Sequence, residues 1–151
     1  MKENKDKKKE AKRKKSLGEL GELFGIKALV DNLFEKIVNL NDIKMNYPFA
    51  DLYAEKDGKK YVISIKARNK YQKNGTLNSR YKLGSNVYSH ASRAEDEHDA
   101  EAYWMAVQFD KKTVSIYFGS LAELNQSNGI PIRKCENGTV GECLVEDKKH
   151  Y

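Results

Sequence analysis

The segment that most constrains this chain is Tyr61-Val-Ile-Ser-Ile-Lys-Ala-Arg68, which follows Asp57-Gly58 and the run Phe49-Ala-Asp-Leu-Tyr-Ala-Glu55. Asp-Gly between two apolar runs signals a two-residue hairpin, because both central residues of that turn need positive φ. Alternation along the second run puts Ser64, Lys66 and Arg68 on one face and Ile63, Ile65 and Ala67 on the other. Counted outward from the turn, Asp51 and Lys66 reach the same end of the hairpin. An ammonium on an otherwise apolar central strand is expensive to desolvate without a counter-charge, and Asp51 is its natural partner. A paired hairpin with charge at one end is therefore the expected centre of the fold.

The flanking segments supply the other layers. Leu17, Leu20, Phe24, Ala28, Val30, Leu33 and Phe34 recur at helical spacing, and Ser16 with Glu19 reads as a capping box, so a helix is predicted over 16–36. Gly18, Gly21 and Gly25 share one side of it; each costs a free helix about 1 kcal/mol relative to Ala, which argues for close packing there. One more strand is expected near 37–43. After a long polar loop at 69–86 come a helix at 87–100, strands at 102–109 and 113–118, a short helix near 121–125 and a hairpin around Asn137-Gly138. Mixed elements in that order predict an α/β or α+β sandwich, and 151 residues suit one domain.

Charge is unevenly placed. Residues 1–15 hold nine bases and three acids, so the whole formal charge of +6 sits there, and the segment is expected to be a basic disordered tail or frayed helix. Such an arm can lie along phosphates or serve only as a solubilising extension. Residues 56–82 carry nine bases against Asp57, with Tyr61, Tyr71 and Tyr81 interleaved, and residues 95–101 carry five acids and no base. No apolar run approaches the ~18 residues of a membrane span. The charged N-terminus is unlike a secretory signal, and two Cys cannot build a disulfide framework, which places the chain in a reducing cytoplasm. No glycine-rich nucleotide motif is present. His90 and His98 lie too far apart for a zinc pair, and Cys135 and Cys143 flank the Asn-Gly dipeptide as free thiols.

Pro48-Phe-Ala-Asp51, then Ile63-Ser64-Ile65-Lys66, after a helix marked Gly18-Glu-Leu-Gly-Glu22, resembles the PD-(D/E)xK nuclease superfamily over roughly residues 16–120. The resemblance implies an α/β fold with a restriction-endonuclease-like αβββαβ core, a mixed sheet flanked by helices, and a single nuclease domain over 16–151. It implies Mg²⁺-dependent hydrolysis of phosphodiesters, with Mn²⁺ as a substitute, and a nucleic-acid partner, DNA ahead of RNA, with a homodimer as one arrangement. Asp51 matches the invariant metal-ligating acid and Lys66 the motif lysine that orients water or stabilises developing charge. Glu22 matches the helix glutamate, with Glu19 one turn earlier as the fallback. Ser64 stands where the motif has an acid and supplies no charge. The missing carboxylate is then expected from Glu22 or from the helix acids Glu95, Asp96 and Glu97, Glu95 first among them. Arg68, Lys70, Lys73, Arg80 and Lys82 are candidate phosphate contacts, the alternatives being an edge ion pair of Arg68 with Asp51 or a helix acid and a loop whose bases touch nothing; Tyr71 and Tyr81 are candidate stacking surfaces, with plain packing the simpler reading for both rings. The alternative is a catalytically inactive nucleic-acid-binding module of the same fold. A third reading is a structural protein in which Lys66 and Asp51 pair inside a closed core.

Overall fold

The computed structural model describes residues 2–44 and 47–149. Its elements follow the order α1 (Lys2–Asp31), β1 (Glu35–Asn39), β2 (Leu52–Lys56), β3 (Lys59–Asn69), α2 (Val87–His98), β4 (Glu101–Phe109), β5 (Thr113–Ser120), α3 (Ile132–Glu136) and β6 (Glu142–Lys149). The six strands form one sheet in sequence order. β3 and β4 run parallel, joined by the crossover through α2, and every other neighbouring pair is antiparallel. A helix, three strands, a crossover helix and a further strand, with helices on both faces, form the restriction-endonuclease-like core expected of this sequence.

The hairpin forms as its turn chemistry dictates. Asp57 and Gly58 both take positive φ, 52° and 80°, and β2 pairs β3 in the register Leu52 with Ile63 to Lys56 with Lys59. β3 is longer than β2 and continues past its end, so residues 64–69 have β4 on one side and, among the described residues, no sheet partner on the other. That bare edge positions the site described below.

One face of the sheet carries Ile63, Ile65, Ala67, Met105 and Val107, covered by α1. The other carries Val62, Trp104 and Ala106, covered by α2 and the segments around Leu121 and Ile132. β4 is buried on both faces, which is why its sequence is an almost unbroken apolar run. The glycine stripe works at two of its three positions. A Cβ on Gly21 would lie 2.4 Å from the Cβ of Ala67, and one on Gly25 would lie 2.9 Å from Met105 Sδ, whereas Gly18 has nothing within 4 Å.

Several expectations are corrected. α1 does not start at Ser16 but runs from Lys2, so residues 2–15 are helix continuous with the part that packs on the sheet. Lys, Arg, Ala and Glu are strong helix formers, and a helix already anchored on the sheet extends without the cost of nucleation. α1 stops at Asp31 rather than near residue 36. Leu33 turns left-handed at φ 67°, with Phe34 N donating to Leu29 O at 2.9 Å and Leu33 N to Val30 O at 3.1 Å, a Schellman ending that buries Phe34. Leu33 itself is exposed. Asn137-Gly138 does not turn a hairpin; it closes α3, with Gly138 N bonded to Cys135 O, and β6 then pairs with β5. Cys135 is buried and Cys143 exposed, both as free thiols. No helix of the described residues is long and apolar enough to cross a membrane.

Candidate active site

Asp51 sits where β2 gives out against β3. Its N–H donates to Ile63 O at 2.8 Å, continuing the ladder by one residue. Its carboxylate turns to the bare edge of β3 and accepts the Ile65 N–H through Oδ2 at 2.7 Å. The other oxygen, Oδ1, accepts from Asn41 Nδ2 at 3.2 Å, and the same nitrogen donates to Glu22 Oε1, also at 3.2 Å. Glu22 reaches this point from α1, and its second oxygen faces Asn39 Nδ2 at 3.5 Å. Two carboxylates from distant parts of the sequence thus meet on one amide.

Asn41 lies in a 3-10 turn after β1, at 40–42. Its own amide oxygen accepts the Tyr47 N–H at 3.4 Å, which leaves the NH₂ end aimed at the acids. Nothing in the sequence marks Asn41, because its role depends on a turn that brings β1 beside α1. The Tyr47 hydroxyl donates to Glu97 Oε2 at 2.5 Å and lies 2.8 Å from His98 Nε2, tying the segment before Asp51 to the end of α2. Burial, then the hydrogen bond to Glu97 and its charge, push that phenol up to about 12, so it stays a donor.

Glu22, Asn41, Asp51, Ser64, Lys66 and His90 line an open cleft of about 440 Å³. Ser64 is buried and Lys66 half-buried. Lys66 does not form the expected ion pair with Asp51; among the described residues it has no acid within salt-bridge distance, and acts on Asp51 as a nearby positive charge. The closed pair of a purely structural core is therefore absent, and the carboxylate faces the cleft. Burial holds the Asp51 carboxyl above its ordinary range, against the Ile65 and Asn41 bonds and the Lys66 charge that lower it. Glu22 is also raised, first by burial and then by the charge of Asp51.

The acids of α2 do not join this group. Glu95 accepts the Ala102 N–H at 2.9 Å and so caps the start of β4, Glu97 is held by Tyr47, and Asp96 is exposed. Glu95 is therefore not brought to the cleft, and Glu22 is the carboxylate that accompanies Asp51. Glu19, one turn before Glu22, is exposed and is not among the residues lining the cleft. Among the described residues no group of three His, Cys, Asp or Glu side chains is placed to hold a metal ion. The donor set still suits a small divalent cation. Two under-compensated carboxylates face a common gap, and Mg²⁺ takes oxygen ligands while keeping several waters, so two protein acids are enough.

Of the candidate phosphate contacts, Arg68, Lys73, Arg80 and Lys82 line a second groove, which continues along β3 from the cleft. Lys70 instead lies over the Tyr71 ring, with Nζ 5.7 Å from its centroid. Tyr71 is half-exposed, whereas Tyr81 is fully buried and packs in the core.

The fold is an α/β one, a mixed six-stranded sheet flanked by helices in the restriction-endonuclease-like order of elements. The chain is similar to Hjc, a Holliday junction resolvase from the archaeal hyperthermophile Archaeoglobus fulgidus, at 18% identity and a TM-score of 0.47, covering 66% of this chain and 74% of that one. No protein-family model and no curated protein matches it.

Proposed function

We propose that the protein is a divalent-metal-dependent endonuclease acting on DNA, with Asp51, Glu22, Lys66 and Ser64 as its active-site residues. The observation that carries this reading is the meeting of Asp51 and Glu22 on Asn41 beside Lys66 in an open cleft. Asp51 and Glu22 would hold Mg²⁺, or Mn²⁺ in its place, which when bound supplies an acidified water and neutralises charge on the phosphate. Lys66, unpaired and half-buried, would orient the attacking water and stabilise the extra negative charge on the reacting phosphate, an interaction worth more in a partly dry cleft than in bulk water. Ser64 offers a neutral hydroxyl to the same space. Arg68, Lys70, Lys73, Arg80 and Lys82 would take the phosphates of the substrate backbone.

Ser64 at the second acid position and the lack of a three-acid group among the described residues favour a second reading, a binding module without catalysis. Incubation of plasmid, single-stranded and branched DNA with Mg²⁺ and with EDTA separates the two. Cleavage in Mg²⁺ alone, abolished by Lys66→Ala and by Asp51→Ala in folded protein, is the expected outcome. Undiminished cleavage in either variant removes this site from the account, and binding without cleavage on any substrate selects the second reading.

A further inference from the structure

Beyond Lys66 the bare edge of β3 becomes the floor of the second groove, which at about 1180 Å³ is much larger than the cleft. Its floor is Ala67, Arg68 and Asn69, one wall is the first half of α1, and the other is the loop after β3. Cations converge on it from three separate parts of the chain: Arg13 and Lys14 from the helix, Arg68 from the strand, and Lys73, Arg80 and Lys82 from the loop. The acid among the lining residues is Glu10, and Arg13 already binds it. Arg13, then Lys73 and Lys14, hold the Glu10 carboxyl below its ordinary range, so the loop and the helix face one another closely enough to share a field. Among the described residues, Lys14, Arg68, Lys73, Arg80 and Lys82 have no ion-pair partner. Uncompensated like charges facing one another repel, so the arrangement calls for an anion.

Two further features narrow that anion. Arg68 is held in place by its own bonds, Nη1 to Ala67 O at 2.7 Å and Nε to Arg80 O at 3.1 Å, so it presents a fixed charge rather than a mobile one. Tyr71 stands on the wall half-exposed, with Lys70 Nζ 5.7 Å from its ring centroid. Fixed and mobile cations tracking a groove, interleaved with an exposed aromatic, are the elements of a single-strand site, in which phosphates meet charge and unpaired bases stack. A duplex keeps its bases stacked on one another and offers no free face to Tyr71.

We infer that this groove binds an unpaired nucleic-acid strand leading to the cleft, so the favoured substrate carries a single-stranded segment next to the cleavage point. Arg68 follows Lys66 by two strand residues, about 7 Å, so one strand can occupy both. The inference rests on the nuclease reading only for the identity of the polymer, and binding is measured without cleavage.

The test compares, in EDTA, the affinity of the full chain for a labelled blunt duplex, the same duplex with a single-stranded tail, and the tail alone. The tail is expected to raise affinity about tenfold. Lys73→Glu with Arg80→Glu should cancel that gain and reduce the salt slope on the single strand by about 1.4, the effect of two lost phosphate contacts. Tyr71→Ala should weaken tailed DNA about five- to a hundredfold and leave blunt duplex unchanged. Lys60→Glu, at the far end of the hairpin, should change neither. Equal affinity for blunt and tailed duplex overturns the inference, as does a tail preference that survives Lys73→Glu with Arg80→Glu. The two proposals fail separately: tail preference with no cleavage in Mg²⁺ leaves the groove and removes the nuclease, while cleavage without tail preference does the reverse.

Discussion

At the scale of single residues, the cleft carries a conflict that the protein alone does not resolve. Burial, the largest cause, holds Asp51 above its ordinary value of 3.8, and Glu22 is raised by burial and by Asp51. A carboxyl raised in the folded chain binds its proton more tightly there than when unfolded. Its stabilising contribution is therefore fully present below 3.8 and is lost as pH rises through the raised value. Asp51→Asn cannot ionise and still offers Ile65 an acceptor. In EDTA the variant should be more stable than the wild type near neutral pH, by on the order of 1 kcal/mol, with the advantage shrinking toward about pH 4. Urea unfolding across that range measures it, and an advantage that does not vary with pH would place the effect elsewhere. Mg²⁺ at a hundred times its dissociation constant should stabilise the wild type by about 2.7 kcal/mol and the variant hardly at all. Asn41→Ala takes the shared donor from both acids and should cost about 1–2 kcal/mol in the metal-free protein, with cleavage reduced but the fold intact, as circular dichroism and a nicking assay would report. Asp51 and Lys66 were legible from the turn and the strand period, whereas Asn41 was not, since no local pattern predicts which amide a 3-10 turn will aim at a helix. Glu95 turns to the Ala102 N–H instead of the cleft for a related reason: a helix acid near a strand start serves as well for capping that strand as for a cleft, and only the phase of α2 decides.

At the scale of elements, the glycine stripe of α1 makes the packing testable. Gly21 and Gly18 are one turn apart in the same helix, so both gain about the same from a switch to Ala in helix propensity, roughly 1 kcal/mol. They differ in what a methyl would meet: Ala67 at 2.4 Å for Gly21 and nothing within 4 Å for Gly18. Gly18→Ala should therefore stabilise the protein by about 0.5–1 kcal/mol. Gly21→Ala should destabilise it by about 1–2 kcal/mol once overpacking is set against propensity, and should also disturb Glu22 beside it. Thermal unfolding of the two variants checks the contrast, and equal shifts would mean that α1 does not pack through this stripe. Strands with strong turn signals and the buried β4 were legible because periodicity and burial agreed. Element ends were less so. Leu33 and Phe34 continue the helical spacing, yet the chain gains more by turning left-handed and burying Phe34, and Asn137-Gly138 suits a helix end as well as a hairpin.

At the scale of the whole molecule, all of the net charge lies on a stretch of helix that contributes no core. Residues 5–16 contain no buried side chain, and Leu17 is the first in α1 to pack against the sheet. The sequence was legible here in charge but not in placement, because a run without apolar residues does not show what it faces. The sheet anchors α1 from Leu17 onward, and the helix then carries Arg13 and Lys14 over the groove that begins beside Lys66. Stability and recognition should thus separate along the helix. A chain starting at Lys15 loses no side chain that is buried among the described residues, so its melting temperature should stay within about 2 °C of the full chain, a shift that corresponds to about 0.5–1 kcal/mol at this size. Its affinity for single-stranded DNA should fall, and the magnitude of its salt slope should drop by about 0.7 for each phosphate that Arg13 and Lys14 no longer neutralise. Salt titrations of both proteins on one labelled strand give the comparison directly. An unchanged slope would mean that the cationic half of α1 is only a solvated extension, and the groove would then have a single wall, the loop that carries Lys73, Arg80 and Lys82.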